Sequence, residues 1–414
     1  MKYKLLIISL FVAGAFLRLY NFENRMIFGP EQGISLMTSA ANLEKFSLLG
    51  EINLQRATST NHIPFHGANY SYLLLPLIVL ANYQVLPITL VFAGLNLITA
   101  LVFFVVSQKL FGKTVAALAL FFFIFSAIMI HHSLFTWILN PLPLVGVLNL
   151  WFFSKLVKNR KLLWPIFWIG FLSGFGFGLQ NLYLPFGGLM LVLIIIFSRR
   201  KLIFVPTYLF GTILGNLPMV VFDLRHDFYH LRTLWQYFLD VYVTHTVSGF
   251  TDYYHFLYLF PYLFLFFAFV TINLSKIFKP LALAPLLLFV YYSFTSPKFD
   301  LNHSTGMPPG ITTQSLETAA GLIAKDKPSG KFNVATLWDF DTRANPLRYL
   351  LKYYYHLIPE GYENYADVDT LYVFAPDSYD IVKPRVWELT AFLPYRISDL
   401  GMNSPGYRLY KLSK

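Results

Sequence analysis

Glu31 follows Gly29-Pro30 just beyond the first apolar run of the chain. A turn there, followed by a short helix, would hold the carboxylate at a membrane boundary, where it can act as general base toward a hydroxyl group. The plainer reading is a helix-start carboxylate favoured by the helix dipole. His62 and His66 are four apart and bracket Pro64. Such a pair could hold a divalent metal or a phosphate, but proline breaks the helix that would align the two rings. Asp223-Leu224-Arg225-His226-Asp227 mixes both signs, and Arg225 with His226 suits a phosphate leaving group. An interfacial ion-pair cluster is the alternative. His131-His132 and the stretch from Trp137 to Pro141 form a further polar loop, in which Asn140 and Pro141 open the next apolar run. Asp339-Phe340-Asp341-Thr342-Arg343 follows a strand-like run and precedes a helical one, where α/β sheets often bind ligands. Structural capping is the simpler role for it. The sequence has no glycine-rich nucleotide loop, H-E-x-x-H or nucleophile elbow.

The elements that must position these groups are mostly apolar. Of 414 residues, 56% are hydrophobic and 13% charged, too little charge to cover a soluble globule of this size, so a polytopic membrane protein is expected. The net charge of +11 first suggests a polyanion partner. Its distribution removes that reading: residues 296–414 hold 13 basic and 13 acidic groups, and residues 1–295 hold the other 19 basic and 8 acidic ones. With no cysteine there is neither a disulfide framework nor a thiolate metal site.

Apolar runs at 5–20, 87–108, 115–130, 139–154, 162–179, 182–197, 202–222, 254–274 and 277–294 predict nine spans. The first follows Lys2 and Lys4 and reads as an anchor helix rather than a cleaved signal, because the later spans need one. With the amino end inside, the short junctions around Lys109 to Lys113, Lys155 to Lys161, Arg199 to Lys201 and Lys276 to Lys279 place 13 of the 19 basic residues inside. All eight carboxylates then fall outside: Glu23, Glu31, Glu44 and Glu51 in a first loop at 22–86, and Asp223, Asp227, Asp240 and Asp252 in a loop at 223–253. The apolar piece at 70–81 has twelve residues, reaches only about 18 Å as a helix, and is expected at the interface. Residues 1–295 thus form a transmembrane domain. Residues 296–414 form a small extracytoplasmic α/β domain, with strands at 332–336 and 370–374 and helices at 313–325, 346–355 and 384–392.

Several motifs recur in an ordered way: Leu17-Arg18-Leu19-Tyr20-Asn21-Phe22, Phe28-Gly29-Pro30-Glu31-Gln32-Gly33, Pro64-Phe65-His66-Gly67-Ala68-Asn69-Tyr70-Ser71-Tyr72, Lys109-Leu110-Phe111-Gly112-Lys113 and Trp137-Ile138-Leu139-Asn140-Pro141. Over roughly the first 230 residues their order and sidedness resemble the GT-C superfamily of membrane glycosyltransferases. Within it they are most similar to the bacterial protein mannosyltransferase-like branch, glycosyltransferase family 39. The resemblance implies a hexosyltransferase-type enzyme of the cell envelope. It would transfer one sugar from a polyprenyl-phosphate-linked donor to a glycan, lipid or protein acceptor at the outer face of the cytoplasmic membrane, with inversion.

The family's base, usually Asp, corresponds to Glu31; Ile34-Ser35 stands where relatives often carry Arg-Asp, and Asn140 where they often carry Asp. Substrate binding is implied for Gln32, His62, His66, Asn140, Arg225 and His226. No particular cofactor is implied, and a divalent metal ion is left open. Two other readings compete: an inactive binder of lipid-linked glycan or an envelope scaffold, and a transporter, against which the odd number of spans and the lack of an inverted repeat argue. Nucleic acid is not an expected partner.

Overall fold

A buried arginine inside the first apolar helix shows how the membrane part is tied together. The computed structural model describes residues 1–52, 62, 64–197, 201–246, 252–338 and 341–414. Helix α1 (Lys2–Leu19) carries Arg18, whose Nε donates to Asn96 Oδ1 at 2.8 Å and whose Nη1 donates to the carbonyls of Gly14 and Ile124 at 3.2 Å each. A guanidinium out of water must find such partners, and these lie on α1, α5 (Val85–Phe111) and α6 (Lys113–Phe125).

After α1 the chain makes a short α2 (Phe22–Arg25), α3 (Pro30–Glu44), the antiparallel pair β1 (Leu49–Ile52) and β2 (Phe65–Gly67), and α4 (Asn69–Leu80). Following α5 and α6 come α7 (Ala127–His131), α8 (Leu142–Lys158), α9 (Trp164–Leu179), α10 (Leu184–Phe197), α11 (Lys201–Gly215), α12 (Leu217–Arg225), α13 (Tyr229–Tyr242), α14 (Phe260–Ile277) and α15 (Leu283–Phe294).

Among the described residues two helical segments are long and apolar enough to cross a bilayer, Val85–Phe111 and Tyr253–Ile277, and a third if α11 and α12 count as one span. The other expected spans are shorter or broken. The run at 115–130 is two helices, because Ser126 turns extended and its Oγ accepts from the Met129 N–H at 3.3 Å, capping α7. The run at 202–222 bends by 85° at Asn216, just before Pro218. Helix α1 has 18 residues but carries Lys2, Lys4 and Arg18.

Helices α9 and α11 lie in backbone contact. Gly170 and Gly174 face Gly211 and Gly215, and a Cβ on Gly174 would lie 2.0 Å from the Thr212 carbonyl oxygen, one on Gly215 2.0 Å from that of Phe171. In lipid there is little hydrophobic drive to pair helices, so small residues that admit close approach supply the attraction.

The carboxy-terminal part places α16 (Thr313–Asp326), β3 (Phe332–Thr336), α17 (Asn345–Tyr354), β4 (Thr370–Pro376), β5 (Arg396–Ser404) and β6 (Tyr407–Ser413) in a small sheet domain of order β3-β4-β6-β5. Strands β3 and β4 are parallel and the other pairings antiparallel. All of β3 and nearly all of β4 are buried, in keeping with the apolar run of β4 and the mostly apolar β3, whose buried Asn333 donates to the Gly361 carbonyl. The helix expected at 384–392 is a single turn, Trp387–Thr390, too short to repay helix nucleation.

Contacts tie this domain to the first loop. Arg25 Nε donates to the Asp300 carbonyl at 2.7 Å, and the backbone of Asn345 and Pro346 occupies the space a Cβ on Gly33 would need, 2.6 Å away. One continuous apolar cluster extends from Leu10 to Leu409.

Candidate active site

Pro30 is the first residue of α3, where its missing N–H costs nothing and its fixed φ suits the helix. Glu31 therefore sits in the first turn, exposed, near the positive end of the helix dipole. It faces a cavity of about 600 Å³. The polar part of the lining includes Glu31, Glu51 of β1, His66 of β2, Gln180, His255, Asp341 and Arg343. An apolar wall is built by Leu231, Leu234, Trp235 and Phe238 of α13, continued by Phe177 and Leu184. Leu231, Trp235 and Phe238 are three- and four-spaced on one helix face and remain well exposed, which suits a wall in contact with lipid.

Glu51 is the cavity's second carboxyl. Its Oε2 accepts from Ser35 Oγ at 2.5 Å, yet burial, and after it the charge of Glu31, push its pKa up to about 7. Asp341 is buried and accepts at Oδ1 from the N–H and Nε of Arg343, both at 3.1 Å, and at Oδ2 from Asn345 Nδ2, also at 3.1 Å. It thereby fixes the loop ahead of α17 and holds the half-exposed Arg343 guanidinium against the cavity. His255 and Gln180 are hydrogen-bonded to each other across the lining.

The residues singled out by sequence fall into two groups. Glu31 and His66 line the cavity together. Gln32 is buried outside the lining and its Oε1 accepts from the Gly29 N–H at 3.0 Å, a helix-start role rather than a substrate contact. His62 lies beside Tyr229, Nδ1 to hydroxyl 3.2 Å, also outside the lining. Asn140 spends its amide on its own loop, donating to the Phe135 carbonyl at 2.6 Å and meeting His132 Nδ1 at 2.9 Å. His132, pushed down to about pKa 4 by burial, stacks on Trp137, which lines the cavity. Asn140 thus supports the cavity from behind.

Arg225 and His226 are not part of the lining. They end α12 at a corner: Asp223 accepts from the N–H groups of His230 and Leu231 at 2.7 and 3.3 Å, starting α13, while His226 stacks on Phe222 at 4.2 Å. Capping needs, rather than a ligand, explain that mixed-charge motif. Among the described lining residues the lysine or arginine that reaches the cavity is Arg343, from the carboxy-terminal part of the chain. Arg199, Asp339 and Phe340 lie outside the described residues.

Among the described residues no group of three or more His, Asp or Glu converges as metal ligands. No step below depends on a metal ion.

No protein-family model matches the sequence, and no curated protein sequence matches it. Among solved structures the chain is similar to ArnT from Cupriavidus metallidurans in the apo state, with a TM-score of 0.51 at 12% identity over 98% of this chain and 97% of that one. The same protein bound to undecaprenyl phosphate aligns with a TM-score of 0.50 at 11% identity, over 98% and 97%. An Archaeoglobus fulgidus oligosaccharyltransferase aligns with a TM-score of 0.46 at 9% identity, over 90% of this chain and 68% of that one. At these identities the ArnT likeness is one of fold: the chain shares the ArnT architecture, a large helical part joined to a small sheet domain.

Proposed function

We propose that the protein is an inverting membrane glycosyltransferase, moving a sugar from a polyprenyl-phosphate-linked donor to an acceptor at the outer face of the cytoplasmic membrane, with Glu31 as general base. The observation that carries this reading is one cavity in which Glu31, His66 and Arg343 meet an apolar wall of α13. A lipid-linked sugar phosphate needs that combination: greasy surface for the chain, a cation for the phosphate, and a base for the incoming hydroxyl. ArnT has been solved with undecaprenyl phosphate, a ligand of the same chemistry.

In the reaction, the acceptor oxygen attacks the anomeric carbon on the face opposite the phosphate. Its proton passes to the Glu31 carboxylate. The bond from the anomeric carbon to the phosphate oxygen breaks, and its electron pair leaves with the lipid phosphate. The growing negative charge is met by the Arg343 guanidinium, with His66 beside it. Phosphate departs as an anion and needs no general acid, unlike the leaving group in glycoside hydrolysis, where two carboxyls work. Glu51 fits that difference: its raised pKa, about 7, lowers the negative charge of a cavity that must accept a phosphate and already holds Glu31 and the Arg343-paired Asp341.

Nine crossings, a cytoplasmic amino end, and a division near residue 295 into a membrane domain and an outer acceptor-docking domain complete the reading. The motif order favours the protein mannosyltransferase-like branch within the superfamily. Purified full-length protein, given polyprenyl-phosphate hexoses and pentoses in turn, should release lipid phosphate from at least one; release from none of them contradicts the proposal. Arg343→Ala should lower kcat/KM for that donor about 10- to 100-fold, the worth of a charge-assisted hydrogen bond to phosphate.

A further inference from the structure

A second cleft, of about 700 Å³, opens where the α4–α5 turn meets the end of α17. Its walls are aromatic and amide-bearing: Tyr83 and Tyr353 stack with ring centroids 4.8 Å apart and planes within 6°, Tyr355 is exposed, and Asn82 and Gln84 supply amides. Its carboxylate and its ammonium, Glu44 and Lys352, neutralise each other at 2.9 Å, and Lys352 Nζ also lies 5.0 Å from the Tyr353 ring.

The backbone around this cleft is held in costly conformations. Asn82, Tyr83 and His356 have φ of 47°, 63° and 56°, in the left-handed region that non-glycine residues rarely enter. The Tyr83 turn is pinned by the Tyr349 hydroxyl, which donates to the Tyr83 carbonyl at 2.8 Å. Strain gathered at one surface and fixed by a buried hydroxyl is what a preformed binding site shows.

Helices α3 and α17 connect the cleft to the active site. Their starts meet at the cavity, where Gly33 abuts Asn345 and Glu31 and Arg343 line the wall. Their ends meet at the cleft through Glu44 and Lys352. The thirteen steps from Glu31 to Glu44 along α3 cover about 20 Å at the helical rise.

We infer that this cleft binds a neutral oligosaccharide, the distal part of an extended acceptor glycan whose reacting end lies at Glu31. Aromatic faces suit the apolar C–H faces of sugar rings, and amides match hydroxyls as both donors and acceptors. The internally paired charges favour a neutral ligand over a phosphorylated or polyanionic one. The acceptor role rests on the glycosyl-transfer reading; the binding itself does not.

Equilibrium binding of neutral, lipid-free hexasaccharides of α-mannose, β-glucose and β-N-acetylglucosamine to the purified full chain tests this. At least one should bind. Tyr355→Ala and Tyr353→Ala should each weaken it at least tenfold, and Tyr353→Phe should retain it. Binding by none of the three, or binding that both alanine variants leave intact, overturns the inference. Cleft-dependent binding without turnover of any lipid-phosphate sugar would keep the cleft and remove the transfer reading, whereas turnover without binding would do the reverse.

Discussion

A carboxyl that titrates near pH 7 inside the cavity makes Glu51 the residue through which pH should act. Its folded pKa is raised above the ordinary 4.5, so the folded state holds a proton that the unfolded state has already lost. The associated stability is fully present below about pH 4.5 and is lost as pH rises through about 7. Glu51→Gln mimics the protonated form. It should therefore gain in Tm on the native protein as pH rises from 5 to 8, with little further change above; a Tm difference independent of pH would contradict this. Glu31 was legible from the chain because Gly29-Pro30 announces a helix start beside a scarce carboxylate. Glu51 was not, since nothing local distinguishes it; Arg343 stood in a strand-to-helix motif whose simpler reading was capping, and only the pairing of β1 with β2 and the docking of α17 on α3 bring the two to the same wall. Arg225 misled for the converse reason, since a cation beside a histidine looks the same in sequence whether it faces a ligand or closes a helix corner.

At the scale of elements, the α9–α11 contact should be the least tolerant of added volume. A side chain at Gly174 meets backbone at 2.0 Å, while one at Gly188 on α10 meets nothing within 4 Å. Gly174→Leu should cost more than about 3 kcal/mol, seen as a large fall in detergent Tm or in membrane yield, and Gly188→Leu should stay near the native value. Equal behaviour of the two would mean that the helices are not packed this way. The paired G-x-x-x-G spacings are a sequence signal for this contact, though uniform apolarity around them hides which face is used. Hydropathy likewise located the apolar runs but not their breaks. Ser126 and Asn216 interrupt helices through backbone geometry, to which a hydrophobicity scale is blind. The apolar run of β4 and the largely apolar β3 were readable as strands; β5, at the sheet edge, and its inner neighbour β6 are more polar and carried no such pattern.

For the molecule as a whole, the basic surplus carries a prediction about orientation. With no native cysteine, single introduced thiols report sidedness on a clean background. A membrane-impermeant maleimide should label Lys383→Cys in intact cells and Lys158→Cys only after permeabilisation, both positions being exposed; the opposite pattern would invert the proposed topology and move the cavity to the wrong face. That arrangement matters because Arg343 reaches the cavity from the sheet domain while Glu31 comes from the first loop, so both parts must lie on the same side of the membrane for one site to exist. The most direct test of the account is the rate of lipid-phosphate release from a polyprenyl-phosphate sugar by the native chain and by Glu31→Gln at equal protein and detergent. Loss of the general base should slow release at least about 100-fold while donor binding persists. Equal rates would show that Glu31 is not the base, and the proposed chemistry would be wrong at its centre.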